Sequence, residues 1–176
     1  MKSIVIRYGS YGGLILIGVF LIGQLFFPEQ ENMKLNEILG YASIILASSL
    51  IFFGIRSYRN LQGDDGLSFG KAILVGVLIA LIPSFLFGIV DVIYILFINP
   101  DFVDQYYTAT LMNMEASMTP EEFEIAKIGV EAEREMFASP YVQFVVMFLT
   151  VFVIAFIVTL VSALFLQRKP ATNTVE

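Results

Sequence analysis

The sequence predicts an all-α integral membrane protein, a four-helix bundle with an extracytoplasmic helical hairpin between spans three and four. Of its 176 residues, 57% are hydrophobic and 15% are charged, whereas soluble domains carry about 25% charged residues. The mean hydropathy is +0.80. One small core cannot bury so many apolar side chains, so most of them are expected to face lipid.

Four stretches are long enough to cross a bilayer, which takes about 20 apolar residues in a helix. Lipid offers no partners to backbone N–H and C=O groups, so such stretches form helices or a closed barrel. None of the four alternates polar and apolar residues as barrel strands do, and helices are therefore predicted. The predicted spans are residues 9–27, 38–55, 72–98 (interrupted only by Asp91) and 141–166.

The first span follows Lys2 and Arg7, as the apolar region of a signal peptide would. Its apolar run is long, however, and residues 26–29 (Phe-Phe-Pro-Glu) offer no small-residue cleavage site. An uncleaved first transmembrane helix is predicted.

Basic residues next to the spans set the predicted orientation, because Lys and Arg concentrate on the cytoplasmic side. Three flank one side of the bundle, namely Lys34, Lys127 and Arg134. Seven flank the other side, namely Lys2, Arg7, Arg56, Arg59, Lys71, Arg168 and Lys169. Both termini are therefore predicted to be cytoplasmic. Span four with its basic end covers 141–169, and a polar, disordered tail is expected at 170–176.

The segment 99–140 is predicted to be extracytoplasmic, acidic and helical. It holds nine carboxylates and two basic residues. This charge argues against a nucleic-acid partner, which requires a basic footprint, and disfavours anionic lipid headgroups. Thr119-Pro120-Glu121-Glu122 predicts a helix start. Apolar residues at helical spacing predict another helix over 102–115.

The helix predicted at 120–138 carries two apolar stripes, which we expect to pack on two neighbours: 102–115 and the membrane-facing ends of the spans. One stripe is Phe123, Ala126, Val130 and Phe137, and the other is Ile125, Ile128, Ala132 and Met136.

Three carboxylates of the same helix also align on one face, Glu124, Glu131 and Glu135. They could bind a hard cation, or they could form a solvated face paired with Lys127 and Arg134. The solvated face is favoured, because no calcium-loop spacing of glycines accompanies them.

Small residues occupy every fourth position of span three from residue 72 to residue 88. Such a row lets helix backbones approach closely in lipid, and an i±4 ridge favours a right-handed crossing. The row suits packing within the chain and self-association equally well. Its members are Ala72, Gly76, Ala80, Ser84 and Gly88.

Asp91 is the only charged residue inside any predicted span, and it projects from the same side of the helix as Pro83, Ser84 and Tyr94. An intramembrane acid is a functional candidate, as a proton relay, cation site or substrate anchor. The favoured alternative is structural: an acid that hydrogen-bonds a neighbouring helix or is reached by water outside. Gln143, near the outer end of span four, is expected to meet headgroup water.

The composition excludes several chemistries. The chain contains no His, Cys or Trp, which rules out disulfides, Cys/His zinc sites, Ser-His-Asp triads and Cys nucleophiles. No phosphate-binding glycine loop occurs. No cofactor, metal site or enzymatic activity is therefore predicted.

Three blocks of sequence carry a family resemblance: residues 41–47 (Tyr-Ala-Ser-Ile-Ile-Leu-Ala), 53–59 (Phe-Gly-Ile-Arg-Ser-Tyr-Arg) and 67–72 (Leu-Ser-Phe-Gly-Lys-Ala). With the basic residues after span four, the chain resembles the domain-of-unknown-function family numbered 4199. The resemblance implies a four-span protein of a bacterial inner membrane, mainly in the Bacteroidota, with the acidic segment in the periplasm. It supplies no catalytic or ligand residues.

Two functional hypotheses follow. The first is a non-catalytic scaffold or interaction subunit that uses its acidic helical segment to bind a membrane or periplasmic protein. The second is a small transporter or channel component that uses Asp91. A membrane enzyme is the weakest class, because no nucleophile–base or metal constellation is present.

Overall fold

The computed structural model describes residues 1–26, 29–63 and 66–168, and helices account for nearly all of them. Lys169, the tail 170–176 and Phe27 of span one lie outside the described residues. The third helix continues into a single π-helical turn, Tyr94–Ile98. The six α-helices are α1 (Lys2–Phe26), α2 (Glu29–Gln62), α3 (Phe69–Ile93), α4 (Phe102–Ser117), α5 (Pro120–Phe137) and α6 (Pro140–Leu166).

Four of these helices are long and apolar enough to cross a membrane, which confirms the prediction of an all-α fold with four such helices. Their apolar segments are Lys2–Gln24, Glu37–Gln62, Phe69–Ile98 and Pro140–Leu166. Large apolar side chains on them are exposed on the bundle surface, among them Leu14, Phe97 and Phe165. That surface suits a lipid environment and would be costly in water.

α3 is the centre of the bundle, because it packs on α1, α2 and most extensively on α6. The larger core cluster lies toward the chain termini and includes Ile51, Ile79 and Ala155. A second cluster includes Leu16 and Val151. Both α3 and α2 therefore contact all three other long helices, and the α3–α6 contact is the most extensive.

Small residues permit the close contact of α3 with α6. All five residues of the α3 row are buried, and the row therefore packs inside the chain. A Cβ added at Gly76 would overlap the Thr159 methyl group, and one added at Gly88 would lie 2.9 Å from the Phe144 ring. The Thr159 hydroxyl donates to the Ala155 carbonyl of its own helix at 2.9 Å, so it needs no partner across the interface.

A short backbone pairing joins the loop before α3 to the end of α6. The Leu67 N–H donates to the Arg168 carbonyl at 2.8 Å, and the Arg168 N–H donates to the Leu67 carbonyl at 2.9 Å. Gly63 and Gly66 have positive φ angles of 57° and 72°, which glycine adopts without a steric penalty. The Ser68 side chain then caps α3. This pairing holds the start of α3 next to the end of α6.

α4 and α5 lie at the other end of the bundle and pack on each other, with smaller contacts to α2 and α6. Thr119 and Glu122 form a capping box at the start of α5. These hydrogen bonds lower the pKa of the Glu122 carboxyl. Arg134 donates to Asp104 Oδ1 from Nε at 2.9 Å and from Nη2 at 2.8 Å, and this ion pair fastens α5 to α4.

The close contact at Gly76 yields a stability prediction. Replacing Gly by Ala inside a helix gains about 1 kcal/mol in helix propensity, but at Gly76 the new methyl group also overpacks the α3–α6 interface. We expect Gly76→Ala to be about 1–3 kcal/mol less stable than Gly18→Ala, whose Cβ meets nothing within 4 Å. Unfolding in mixed detergent micelles measures the difference, and equal stabilities would contradict the packing described.

Candidate functional site

Asp91 lies near the end of α3 and is only 4% exposed. It follows Gly88 on the buried side of α3, where the absence of a glycine side chain lets the Phe144 backbone approach. The last residues of the small-residue row therefore set the distance between Asp91 and the first turns of α6.

Gln143 of α6 is the polar neighbour of Asp91. It is 2% exposed, and its side chain lies beside the Asp91 carboxyl and interacts with it. The expectation that Gln143 meets headgroup water is wrong, because the contact between α3 and α6 covers it. A signal was available in the sequence: Gln143 is the only carboxamide among residues 141–166.

The pair is not fully satisfied. Within the described part of the chain, Asp91 Oδ2 and Gln143 Oε1 are buried without a hydrogen-bond donor. Burying an acceptor without a donor costs about 1–3 kcal/mol. The pair therefore lacks a donor, which a water molecule or a bound molecule can supply.

Pro83 and Tyr94 lie on the same buried side of α3 as Asp91 but contact α1. Pro83 lies against Gly12 and Gly13. The Tyr94 hydroxyl donates to Gln24 Oε1 at 3.2 Å. The structure therefore separates the three candidate residues of span three into one that faces α6 and two that face α1.

The π-helical turn presents Tyr94 to two aromatic neighbours. Its ring packs edge-to-face with Phe20 at 5.3 Å and with Phe102 at 5.5 Å between centroids. The Asn99 N–H closes the turn by donating to the Tyr94 carbonyl at 2.8 Å. Because Phe102 is the first residue of α4, these contacts link the end of α3 to the α4/α5 pair.

A cavity of about 370 Å³ lies between α4, α5 and the start of α6. Aromatic rings from α4 and α5 form its walls, and α6 contributes Gln143 with two apolar side chains. Gln143 lies on one side against this cavity and on the other against Asp91. The lining residues are Phe102, Val103, Tyr106, Tyr107, Glu133, Phe137, Gln143, Val146 and Met147.

Tyr107 and Glu133 determine the electrostatics of this cavity. Burial raises the pKa of Tyr107 to about 12, and the charges of Glu133 and Tyr106 contribute to the rise. The Tyr107 hydroxyl therefore keeps its proton at neutral pH. Glu133 is exposed and lies at the mouth of the cavity.

Glu124, Glu131 and Glu135 are exposed side chains of α5. Lys127 Nζ lies 4.0 Å from Glu131 Oε1. In the part of the chain that the structure describes, no three acidic, His or Cys side chains gather closely enough to hold a metal ion. The arrangement gives no support to a cation site on this face.

Only one of the two apolar stripes of α5 is packed. Phe123, Ala126, Val130 and Phe137 are partly buried. Both expected neighbours, α4 and the end of a predicted span, contact α5. The expectation that the second stripe also has a partner is wrong, because Ile125 and Ile128 are each 72% exposed. α5 touches α4 and the start of α6 on one side, and no described helix covers its other side.

A family model described as "Protein of unknown function (DUF4199)" matches residues 7–168 of the chain. The chain belongs to this family. No curated protein and no solved structure matches it.

The matched range of this DUF4199 protein contains nearly all of the four long helices and the whole α4/α5 pair. Asp91, Gln143 and the cavity therefore lie inside the family domain.

A double-mutant cycle tests the Asp91–Gln143 pair. Asp91→Leu and Gln143→Leu each leave a buried polar group with a lost partner, so each should cost about 1–3 kcal/mol of unfolding free energy. The double variant removes both polar groups and should cost less than the sum of the two. Unfolding in mixed micelles gives the three values. Additive costs would show that the two side chains do not interact.

Proposed function

We propose that this DUF4199 protein is a non-catalytic interaction subunit of a bacterial inner membrane, with α5 as its binding helix. The observation that carries the proposal is the exposed apolar stripe of α5. We name this the α5 stripe and define it as Ile125, Ile128, Ala132 and Met136.

The α5 stripe differs from the apolar surface of the four long helices, because it lies outside the segments that are long and apolar enough to cross a membrane. Besides the two isoleucines, Met136 is 49% exposed. A contiguous apolar surface in water is unfavourable, and such surfaces commonly mark protein interfaces. The stripe lies on the side of α5 away from α4, where a partner can reach it.

Carboxylates border the α5 stripe on both edges. At 100° per residue, one edge carries Glu124, Glu131 and Glu135, and the other carries Glu122 and Glu133. A matching partner would present an apolar face flanked by Lys or Arg. A second copy of this chain would bring like charges together, and an anionic lipid surface would be repelled. The proposed partner is therefore a basic, amphipathic segment of another protein.

The proposed orientation places α4 and α5 in the periplasm and both termini in the cytoplasm. It is supported by the excess of Lys and Arg at the ends of the spans near the termini. In this orientation the α5 stripe is available to a periplasmic protein or to the periplasmic part of a membrane protein.

A non-catalytic role is supported by the side-chain inventory. The chain has no His or Cys to act as base or nucleophile. The transport alternative rests on Asp91, which is the only charge inside the predicted apolar stretches and is buried against α6. The exposed stripe therefore favours interaction over transport.

Photo-crosslinking tests the interaction. A photoreactive amino acid at position Ile128, expressed in native membranes, should form a discrete adduct with a protein segment that carries Lys or Arg beside an apolar face. The matched control is the same substitution at Met112, which is 66% exposed on α4 outside the stripe. It should not give that adduct.

Two further results are expected. Ile125→Ser with Ile128→Ser should remove the complex, and high salt should weaken it, because screening acts on the charged borders. Adducts only with lipid or with a second copy of the chain would contradict the proposal, as would identical adducts from Ile128 and Met112.

Reporter fusions test the orientation independently. A reporter that works only in the cytoplasm should be active when fused after Lys169. A reporter that works only outside the cytoplasm should be active when inserted at Ser117. The two positions flank span four, so each serves as the control for the other. The reverse pattern would place α5 in the cytoplasm and overturn a periplasmic partner.

A further inference from the structure

The cavity between α4, α5 and α6 has the size and walls of a small-molecule site. Its volume of about 370 Å³ falls in the range of ligand pockets, about 300–1,000 Å³. The Tyr106 and Tyr107 rings meet edge-to-face at 5.3 Å, and the Tyr107 ring lies 6.3 Å from that of Phe137. Such walls offer apolar contact and ring faces to a ligand.

The floor of the cavity holds a hydrogen-bond acceptor that no donor of the described residues reaches. Gln143 lines the cavity, and its Oε1 is buried without a donor, as is Oδ2 of Asp91 behind it. A ligand that completes this floor must therefore present N–H or O–H groups to it. This requirement is independent of the apolar walls.

The charges around the cavity select a cation. Glu133 lies at the mouth and Asp91 behind the floor, and none of the described residues lining the cavity is Lys or Arg. Arg134, next to Glu133 in sequence, is engaged by Asp104. An ammonium group would be attracted by both carboxylates and by the faces of the aromatic rings.

We propose that this cavity binds a small amphiphilic primary amine, with its ammonium group on Gln143 and its alkyl part against Val146, Met147 and the aromatic walls. A soluble alkylamine and the ethanolamine headgroup of a lipid share this chemistry, and both can reach a cavity at the end of α6. The proposal stands apart from the α5 stripe, so crosslinking from Ile128 does not bear on it.

Hexylamine is the probe for this site. The full chain is placed in phosphatidylcholine nanodiscs, whose quaternary headgroups carry no N–H donors, and binding is measured by saturation-transfer NMR against empty nanodiscs. Hexylamine should bind saturably. Hexanol should bind at least about tenfold more weakly, because a hydrogen bond from a charged donor exceeds one from a neutral donor. Hexanoate should also bind at least about tenfold more weakly, because its carboxylate has no donor and is repelled by Glu133.

Variants locate the binding. Glu133→Gln should weaken hexylamine binding about three- to fivefold, as expected for a partly exposed charge, and Gln143→Leu about tenfold. The matched control is Glu135→Gln, an exposed carboxylate of α5 that does not line the cavity. It should change binding less than about twofold. Glu133 is on the surface, so its variant keeps the test valid even if Gln143→Leu fails to fold.

Phosphatidylethanolamine nanodiscs distinguish a lipid headgroup from a soluble amine as the natural ligand. Loss of hexylamine binding there identifies the lipid headgroup as the ligand, and retained binding identifies a soluble amine. Either result supports the binding of an amine in the cavity. Binding no greater than to empty nanodiscs, equal binding of hexanol, or equal effects of Glu133→Gln and Glu135→Gln would overturn the proposal.

Discussion

The structure depends on the close contact between α3 and α6. In lipid, apolar side chains gain little by leaving one apolar medium for another, so helices associate through van der Waals packing. That packing requires small residues where backbones approach. Gly76 against Thr159 and Gly88 against Phe144 meet this requirement, and the row between them is buried along its length. The other long helices then assemble around α3.

This same contact creates the polar site. One turn after Gly88, Asp91 enters the interface at the level of Gln143. A carboxylate there is unfavourable unless polar groups surround it, and α6 offers a single carboxamide in response. Asp91 and Gln143 then lie beside helices α4 and α5, whose aromatic residues cover the start of α6. The position of the cavity thus follows from where α3 ends and α6 begins, together with the Tyr94–Phe102 ring contact.

Much of the fold could be predicted from the sequence, because backbone hydrogen bonding in lipid leaves few alternatives to helices. The small residues and Asp91 share one side of α3 by helical periodicity alone, and the structure places that side in the core. The partner of Asp91 could not be predicted in this way. α6 carries large apolar residues on every side, so hydrophobic periodicity does not reveal which side faces α3. The sequence alone placed Gln143 in headgroup water. The two stripes of α5 are likewise equivalent in pattern, and only the position of α4 decides which of them is packed.

α5 therefore contributes to two surfaces at once. Its packed side carries Phe137 and, at the edge, Glu133 to the cavity, while Ile125 and Ile128 face away from α4. Because these groups are fixed on one helix held by the capping box at Thr119 and by the Arg134–Asp104 ion pair, a partner on the α5 stripe need not displace a molecule in the cavity. Glu133 belongs to the borders of both surfaces. A partner with a basic residue at that edge would compete with an ammonium group for the same carboxylate, whereas one that engages only Glu124, Glu131 and Glu135 would leave the cavity unchanged.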